Sequence, residues 1–328
     1  MKIPGMLALM GVLFLCSLSA QEIRLDSKTS ASFATIEQAR VVLGAKDEFV
    51  ERMSPFDRAA RMKTDRIESE AEYLMFASNN ALAWTVAETA KVANVMEKLG
   101  SKLTAFQPNL PESILLIKTT GREEGGAAYT RGNAVILPRI DIASEEAELS
   151  RLLAHEIFHI ITRLNPEMRK RLYASIGFLP CGEIGFPEDL KSRKITNPDA
   201  PKNDYYIQVT SRGQKVSVVP ILYANKPTYD LASGGEFFDY LVLKMLAIEN
   251  KADAWQAKLV NGKPVLIGME EIQDLFSQVG RNTEYVLHPE EILADNFALL
   301  VLGNRDVPSP DVLKKLEQIL AKDGKSKP

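Results

Sequence analysis

Cysteine is almost missing from this sequence: Cys16 and Cys181 are the two in 328 residues. Cys16 sits in an apolar N-terminal stretch, and without that stretch Cys181 has no partner. No intramolecular disulfide can then staple the fold, so stability has to come from a conventional core, which a chain of this length can build. Basic residues form no block, and 40 Lys and Arg face 43 Asp and Glu for a net charge of -3. That balance argues against a nucleic-acid partner. Past the N-terminal stretch, no run is long and apolar enough to span a bilayer. Histidine is scarce too, with three in the sequence, so the position of each carries information.

The chain opens Met1-Lys2-Ile3-Pro4, runs apolar from Met6 to Leu15 and reaches Ser17-Leu18-Ser19-Ala20 before Gln21-Glu22. One basic residue, a short apolar core and small residues ahead of a polar stretch have the form of a secretory signal peptide over residues 1–20. Cleavage is expected after Ala20. The bond after Ser19 is the close alternative, because Leu18 is large for the minus-three position. Leu15 is bulkier than a lipid-modification site at Cys16 accepts, and the apolar run is short for an uncleaved anchor. The expectation is an exported chain, periplasmic or extracellular, with no stable membrane span after cleavage.

What is present stands out against this background. Leu152-Leu153-Ala154-His155-Glu156-Ile157-Phe158-His159-Ile160-Ile161 places H-E-x-x-H inside an apolar helical run. Imidazoles four residues apart lie one turn apart on one helix face, so both can point a ring nitrogen at one ion. Glu156 sits beside the first of them, where its carboxylate can take a proton from a metal-held water. A polar triplet on such a helix is costly unless something compensates it. The plain alternative is two ordinary histidines with Glu156 in a helical salt bridge. Two of three histidines falling at ligand spacing around a glutamate favour the metal.

Upstream, residues 21–111 form a helical region. Thr35 to Leu43 ends at Gly44, Ser54-Pro55 opens a second helix, and Glu68 to Ala77 is a third with Tyr73, Leu74 and Phe76 as core candidates. Thr85-Val86-Ala87-Glu88 is a capping box before Val92, Val95, Met96 and Leu99, with Gly100 expected to stop the helix. The period changes at Ile114 to Ile117, a strand, and Ala127 to Leu137 reads as a tight hairpin around Arg131-Gly132-Asn133. Ser144-Glu145-Glu146 then caps the motif helix, which runs to Leu164, and Asn165-Pro166 starts another. Residues 178–203 read as a long loop, Tyr205 to Leu222 as a hairpin, and 237–248 as a helix or strand. A hairpin follows at Asn261-Gly262, then helices over Met269 to Val279, from His288-Pro289 to Gly303, and from Ser309-Pro310 with Leu313, Leu316, Ile319 and Leu320 on its apolar face.

Two histidines do not complete a catalytic zinc site, which uses three protein ligands and a water. Further ligands are on offer in Leu287-His288-Pro289-Glu290-Glu291-Ile292-Leu293-Ala294-Asp295-Asn296-Phe297. Glu291 and Asp295 share a helix face, so one can bind metal while the other hydrogen-bonds a ligand histidine. Glu290 and His288 are rivals for the third place, and His288 also reads as a helix cap. At these residues the chain resembles the gluzincin group of zinc metallopeptidases, whose thermolysin-like members pair H-E-x-x-H with a later E-x-x-x-D helix. The resemblance covers about residues 112–164 and 287–302. It implies His155, His159 and Glu291 as ligands of one zinc ion, Glu156 as catalytic base and Asp295 as the partner of His155. It further implies that the Ala127 to Leu137 hairpin carries an edge strand on which an extended peptide is laid. Glu290 has Ala294 one turn later and so lacks a supporting carboxylate, which favours Glu291. The gap between the halves of the site is far wider than in thermolysin-like enzymes, so residues 178–286 read as an insertion.

The resulting expectation is an α+β fold: a zincin-like domain over 112–328 with a central metal-binding helix and a small sheet with an edge strand, preceded by the helical region. The expected activity is zinc-dependent hydrolysis of a peptide or protein substrate with Glu156 as general base. Two other readings stay open: a non-catalytic binding protein with a structural metal, and a metal-dependent hydrolase of a non-peptide substrate. His288, Tyr206 and Tyr129 are candidate transition-state or substrate contacts, as are Arg131 and Tyr205, each with a packing role as the plainer alternative. Cys181 could place a thiolate on the metal, but an unpaired loop thiol is the simpler reading.

Overall fold

The alternating and continuous apolar runs build two main sheets, and the 3.6-residue runs pack against them. The computed structural model describes residues 22–106 and 108–325. The stretch read as a signal peptide lies outside the described residues. In the first sheet β1 (Ile23–Arg24), β2 (Ser30–Phe33), β3 (Ser113–Thr119), β4 (Tyr129–Arg131) and β5 (Ala134–Pro138) take the order β1-β2-β3-β5-β4. Strands β2, β3 and β5 are parallel, whereas β4 returns antiparallel to β5 through Gly132, whose φ of 59° suits a tight hairpin. This leaves β4 at the edge. The second sheet is antiparallel, in the order β10-β9-β8-β7-β6: β6 (Phe178–Pro180), β7 (Tyr205–Ser211), β8 (Gln214–Ala224), β9 (Leu241–Lys251) and β10 (Ala254–Ala257). The chain is thus mixed α+β.

The segment between β2 and β3 holds α1 (Ile36–Leu43), α2 (Glu48–Arg52), α3 (Pro55–Met62), α4 (Glu70–Asn79) and α5 (Val86–Leu103). Because β2 pairs with β3, a boundary at residue 112 runs through a sheet. Side-chain caps at Thr35, Ser54, Ser69 and Thr85 start four of these helices. Gly100 does not stop α5. A Cβ there would lie 2.9 Å from the Leu25 backbone, so this glycine lets the chain after β1 approach the helix, which continues to Leu103.

After β5 come α6 (Arg139–Ala143), which sequence periodicity did not show, then α7 (Glu146–Leu164) and α8 (Pro166–Ser175). The run 237–248 resolves into a 3-10 turn, Phe237–Tyr240, followed by β9. The expected helix over Met269 to Val279 is broken into a 3-10 turn, Met269–Glu271, and the short α9 (Leu275–Val279). The cause is competition for backbone groups: Gln273 N–H bonds to Thr210 C=O, and the Asp274 carboxylate accepts the Thr210 N–H at 2.6 Å. Last are α10 (Pro289–Leu302) and α11 (Pro310–Lys325). Among the described residues no helix is long and apolar enough to cross a membrane.

Helices α7 and α10 pack together in the centre. Every residue of α10 except Leu299 and Leu302 is buried, and the rings of Phe158 and Phe297 meet at 5.2 Å. A second buried feature ties the N-terminal helices to the loop before β7. Arg61, with no side-chain exposure, is paired with Asp57 and Glu124 and stacked over Phe237, and it donates to the Thr196 carbonyl at 3.0 Å. Asp57 accepts the Thr196 N–H at 2.9 Å. Removing one member of such a buried ion pair costs about 3–5 kcal/mol.

Next to this network Glu123 is fully buried, and neither carboxylate oxygen has a hydrogen-bond partner among the described residues. Burial pushes its carboxyl up to about 7, the nearby Thr119 hydroxyl offsetting only part of the effect. A carboxyl that is a weaker acid when folded stabilises below its unfolded value near 4.5 and loses that contribution as pH rises toward 7. Wild type should therefore lose about 1–3 kcal/mol more than Glu123→Gln between pH 4.5 and 8, measured by urea unfolding at each pH. Parallel pH curves for the two proteins would refute this.

Candidate metal centre

The site forms where the middle of α7 meets the first turn of α10. His155 and His159 project from one face of α7, and their rings stand 4.8 Å apart at 79°. Opposite them, His288 begins α10: its Nδ1 accepts the Glu290 N–H at 3.1 Å, and Pro289 occupies the first helical position. His288 is thus a helix cap, and it does not line the site's cavity. The cap puts Glu290 and Glu291 in the first turn, where the helix dipole favours negative charge.

The hydrogen bonds around the two imidazoles decide which nitrogens are free. His155 Nδ1 lies 3.1 Å from Asp295 Oδ1, and His159 Nδ1 lies 3.0 Å from Glu290 Oε1. Both Nε2 atoms then converge on Glu291 Oε2, at 3.1 and 3.8 Å. Ligand atoms of His155, His159 and Glu291 all lie within 4.8 Å of one another. A carboxylate on the far nitrogen of a metal-binding histidine fixes its tautomer and raises its basicity, so this donor set fits a divalent ion that takes nitrogen and oxygen ligands. The other Glu291 oxygen, Oε1, accepts from Asn197 Nδ2 at 2.6 Å, leaving Oε2 alone for the histidines.

On sequence grounds Glu290 is a rival of Glu291 for the third ligand place. Instead it supports His159, and it is itself held by Thr162 Oγ1 at 2.5 Å and by the Tyr173 hydroxyl. Asp295 is held by Arg151 at 3.0 Å and by Thr283 Oγ1. Burial opposes charge on His159, but the carboxylates of Asp199 and Glu291 outweigh it and push the imidazole up to about 9. Burial and the neighbouring Asp199 push Glu156 up to about 8.

A cavity of about 470 Å³ opens over these residues. Ala127 and Ala128, leading into edge strand β4, form part of its wall, and Ile195, Leu222, Phe237, Phe238 and Leu241 make an apolar flank. Glu124, Asn197, Asp199 and Tyr285 also line it. Sequence reasoning missed Asn197, Asp199 and Tyr285; the loop carrying the first two showed only turn-forming Pro and Asn residues. Thr162, a polar residue in an apolar helix one turn after His159, was a signal for the Glu290 contact.

Other candidates are packing residues. Tyr129 is buried in the cluster of α1, α2, α4 and β5 side chains, and Arg131 is committed to Asp47 and to the carbonyls of Leu43 and Ala45. Tyr205 packs edge-on against Tyr173, and Tyr206 lies on Trp255 at 4.5 Å. Cys181 is partly buried beside β6, lines no wall of the cavity, and has its thiol pushed up to about 12 by burial and Asp204, which keeps it protonated. No protein family, curated protein or solved structure matches the chain.

If the site holds a divalent ion, the contacts rank the effects of substitution on its affinity, measured with added zinc by chelator competition. Glu291→Ala should cause the largest loss, and Glu290→Ala and Asp295→Ala should each weaken binding by ~10–100-fold. Full retention by Glu291→Ala would remove it as a ligand. Affinity should also rise with pH toward about 9, because protons compete for His159 below that value. A pH-independent affinity between 6.5 and 9 would contradict this.

Proposed function

We propose that the chain is a zinc-dependent peptidase with a zincin-like site, exported as residues 1–20 suggest. The observation that carries the reading is the convergence of two carboxylate-oriented imidazoles on a single Glu291 oxygen, with a further carboxylate, Glu156, left over beside them. His155, His159 and Glu291 would hold the metal. When bound, zinc supplies a Lewis acid that polarises a carbonyl and makes water acidic near neutral pH.

The remaining work falls to the chain. Glu156 is 2% exposed, and its Oε2 has no hydrogen-bond partner among the described residues, so one oxygen is free to accept a proton. A carboxylate beside the metal ligands suits a group that takes a proton and later returns it to a leaving amine. Asp295 and Glu290 hold the imidazoles in the tautomer that presents Nε2. Ala127 and Ala128, which line the cavity and lead into edge strand β4, support an extended peptide as substrate. The apolar flank favours a large apolar side chain on that peptide. A purely structural metal site has no use for Glu156, which speaks against the non-catalytic alternative.

Glu156→Gln keeps size and hydrogen bonding but removes the base. Zinc content should match wild type while cleavage of a random peptide library falls by at least ~100-fold. Equal turnover by the two proteins sinks this mechanism. For export, mass spectrometry of the protein from its native host should find the N-terminus at Gln21 or Ala20. An intact Met1 on the cell-associated protein would reverse that reading.

A further inference from the structure

Asp199 stands at the centre without a part in the hydrolytic scheme. It lies in the loop between β6 and β7, and its side chain is 6% exposed. Among the described residues the donors to its carboxylate reach Oδ1: the Thr130 N–H at 3.1 Å, the Thr130 hydroxyl, and Arg163 Nη2 at 3.5 Å. None of them takes Oδ2. The backbone is fixed as well, since Asn197 Oδ1 accepts the Asp199 N–H at 2.9 Å while Asn197 Nδ2 donates to Glu291 Oε1.

Glu156, His159 and Asp199 offer three ligand atoms within 4.8 Å of one another. This set shares only His159 with the set of His155, His159 and Glu291, and neither set joins Asp199 to His155 or Glu291. Two separate positions for an ion are therefore on offer. His159 Nδ1 lies 3.0 Å from Glu290 Oε1, so Nε2 is its donor for either position. One imidazole nitrogen binds one ion at a time, which makes the two positions exclusive. A second observation points to the same set: Glu156 is 2% exposed, and its Oε2 has no hydrogen-bond partner among the described residues. A buried carboxylate oxygen in that state is costly, and a cation supplies the missing partner.

We propose that Glu156, His159 and Asp199 form an alternative position for the metal, weaker than the first and exclusive of it. The order of strength follows from the donors. The first set offers two imidazoles, each oriented by a carboxylate, whereas the second offers one imidazole and two carboxylates, which suit zinc less well. An ion in the second position takes Glu156 as a ligand, so the base of the hydrolytic scheme is occupied and the centre is inactive. That consequence rests on the peptidase reading above; the position itself does not. A chain deprived of the first position by substitution of Glu291 or His155 then still carries one ion, held by Glu156, His159 and Asp199.

The test uses the full chain with added zinc or cobalt, and circular dichroism to check each fold. Asp199→Asn keeps the size and an oxygen for the Thr130 N–H, but a neutral amide is a poor ligand. It is made alone, with Glu291→Ala, and, as a second background, with His155→Ala. Both single backgrounds should bind one zinc more weakly than wild type by chelator competition, and adding Asp199→Asn should weaken each by at least ~10-fold further. The visible spectrum of the cobalt form should differ between Glu291→Ala and its double variant. In the wild-type background Asp199→Asn should leave zinc affinity unchanged, because the first set does not include Asp199. A smaller loss in the double variants overturns the inference and leaves the peptidase reading standing. An equal loss in the wild-type background also overturns it, because the two positions would then not be exclusive. A wild-type chain that binds no zinc overturns both readings.

Discussion

The structure turns on the burial of carboxylates. Glu156, Glu290, Glu291 and Asp295 are all at or below 7% exposure, and they face two imidazoles between helices that are otherwise apolar. Unpaired, charges in such a setting cost several kcal/mol each. The cost is met in three ways: by the helix N-terminus under Glu290 and Glu291, by hydrogen bonds from Thr162, Tyr173, Asn197 and Thr283, and by contacts with the two imidazoles. Each acid has its own arrangement. Glu290 is fully satisfied by protein groups, whereas Glu156 retains one oxygen with no partner among the described residues. That difference separates a carboxylate that supports the site from one free to act in it.

The rest of the fold serves to bring three distant pieces together. Packing of α7 on α10 brings the candidate ligands together, and the two helices also meet at the Phe158–Phe297 contact. The third piece, the loop before β7, is fixed from the N-terminal side. Asp57 and Arg61 of α3 grip the Thr196 backbone, and Arg61 also binds Glu124 in the turn before β4. A region that shows no chemistry of its own in the sequence thus shapes the wall of the site. The parallel pairing of β2 with β3 makes the same point at the level of the sheet.

Where expectation and structure part, the reason is competition by distant partners. Gly100 looked like a helix stop because glycine commonly ends helices, but here it serves a close crossing of chains at Leu25. The Met269 to Val279 run has helical periodicity, yet β7 captures the backbone at Gln273. Tyr129 and Arg131 sit on the edge strand, but they are buried against the N-terminal helices and do not enter the cavity. His288 is the reverse case, since its capping geometry was readable from the Pro289 that follows it.

By itself the sequence determined the local relations. Helical spacing puts His155 and His159 on one face with Glu156 between them, the E-x-x-x-D spacing puts Glu291 and Asp295 on another, and Gly132 with its neighbours makes the β4–β5 hairpin. These relations survive in the structure because they depend on residues a few positions apart, whose geometry the helix or turn fixes. Only the tertiary structure decided that Glu290 turns to His159, that Asn197 takes one oxygen of Glu291, and that Asp199 lies against Thr130 and near His159 and Glu156. Those contacts join residues far apart in the chain, and they follow from how α3, α7, α10 and the loop before β7 pack together, a property of the whole core that no local spacing encodes.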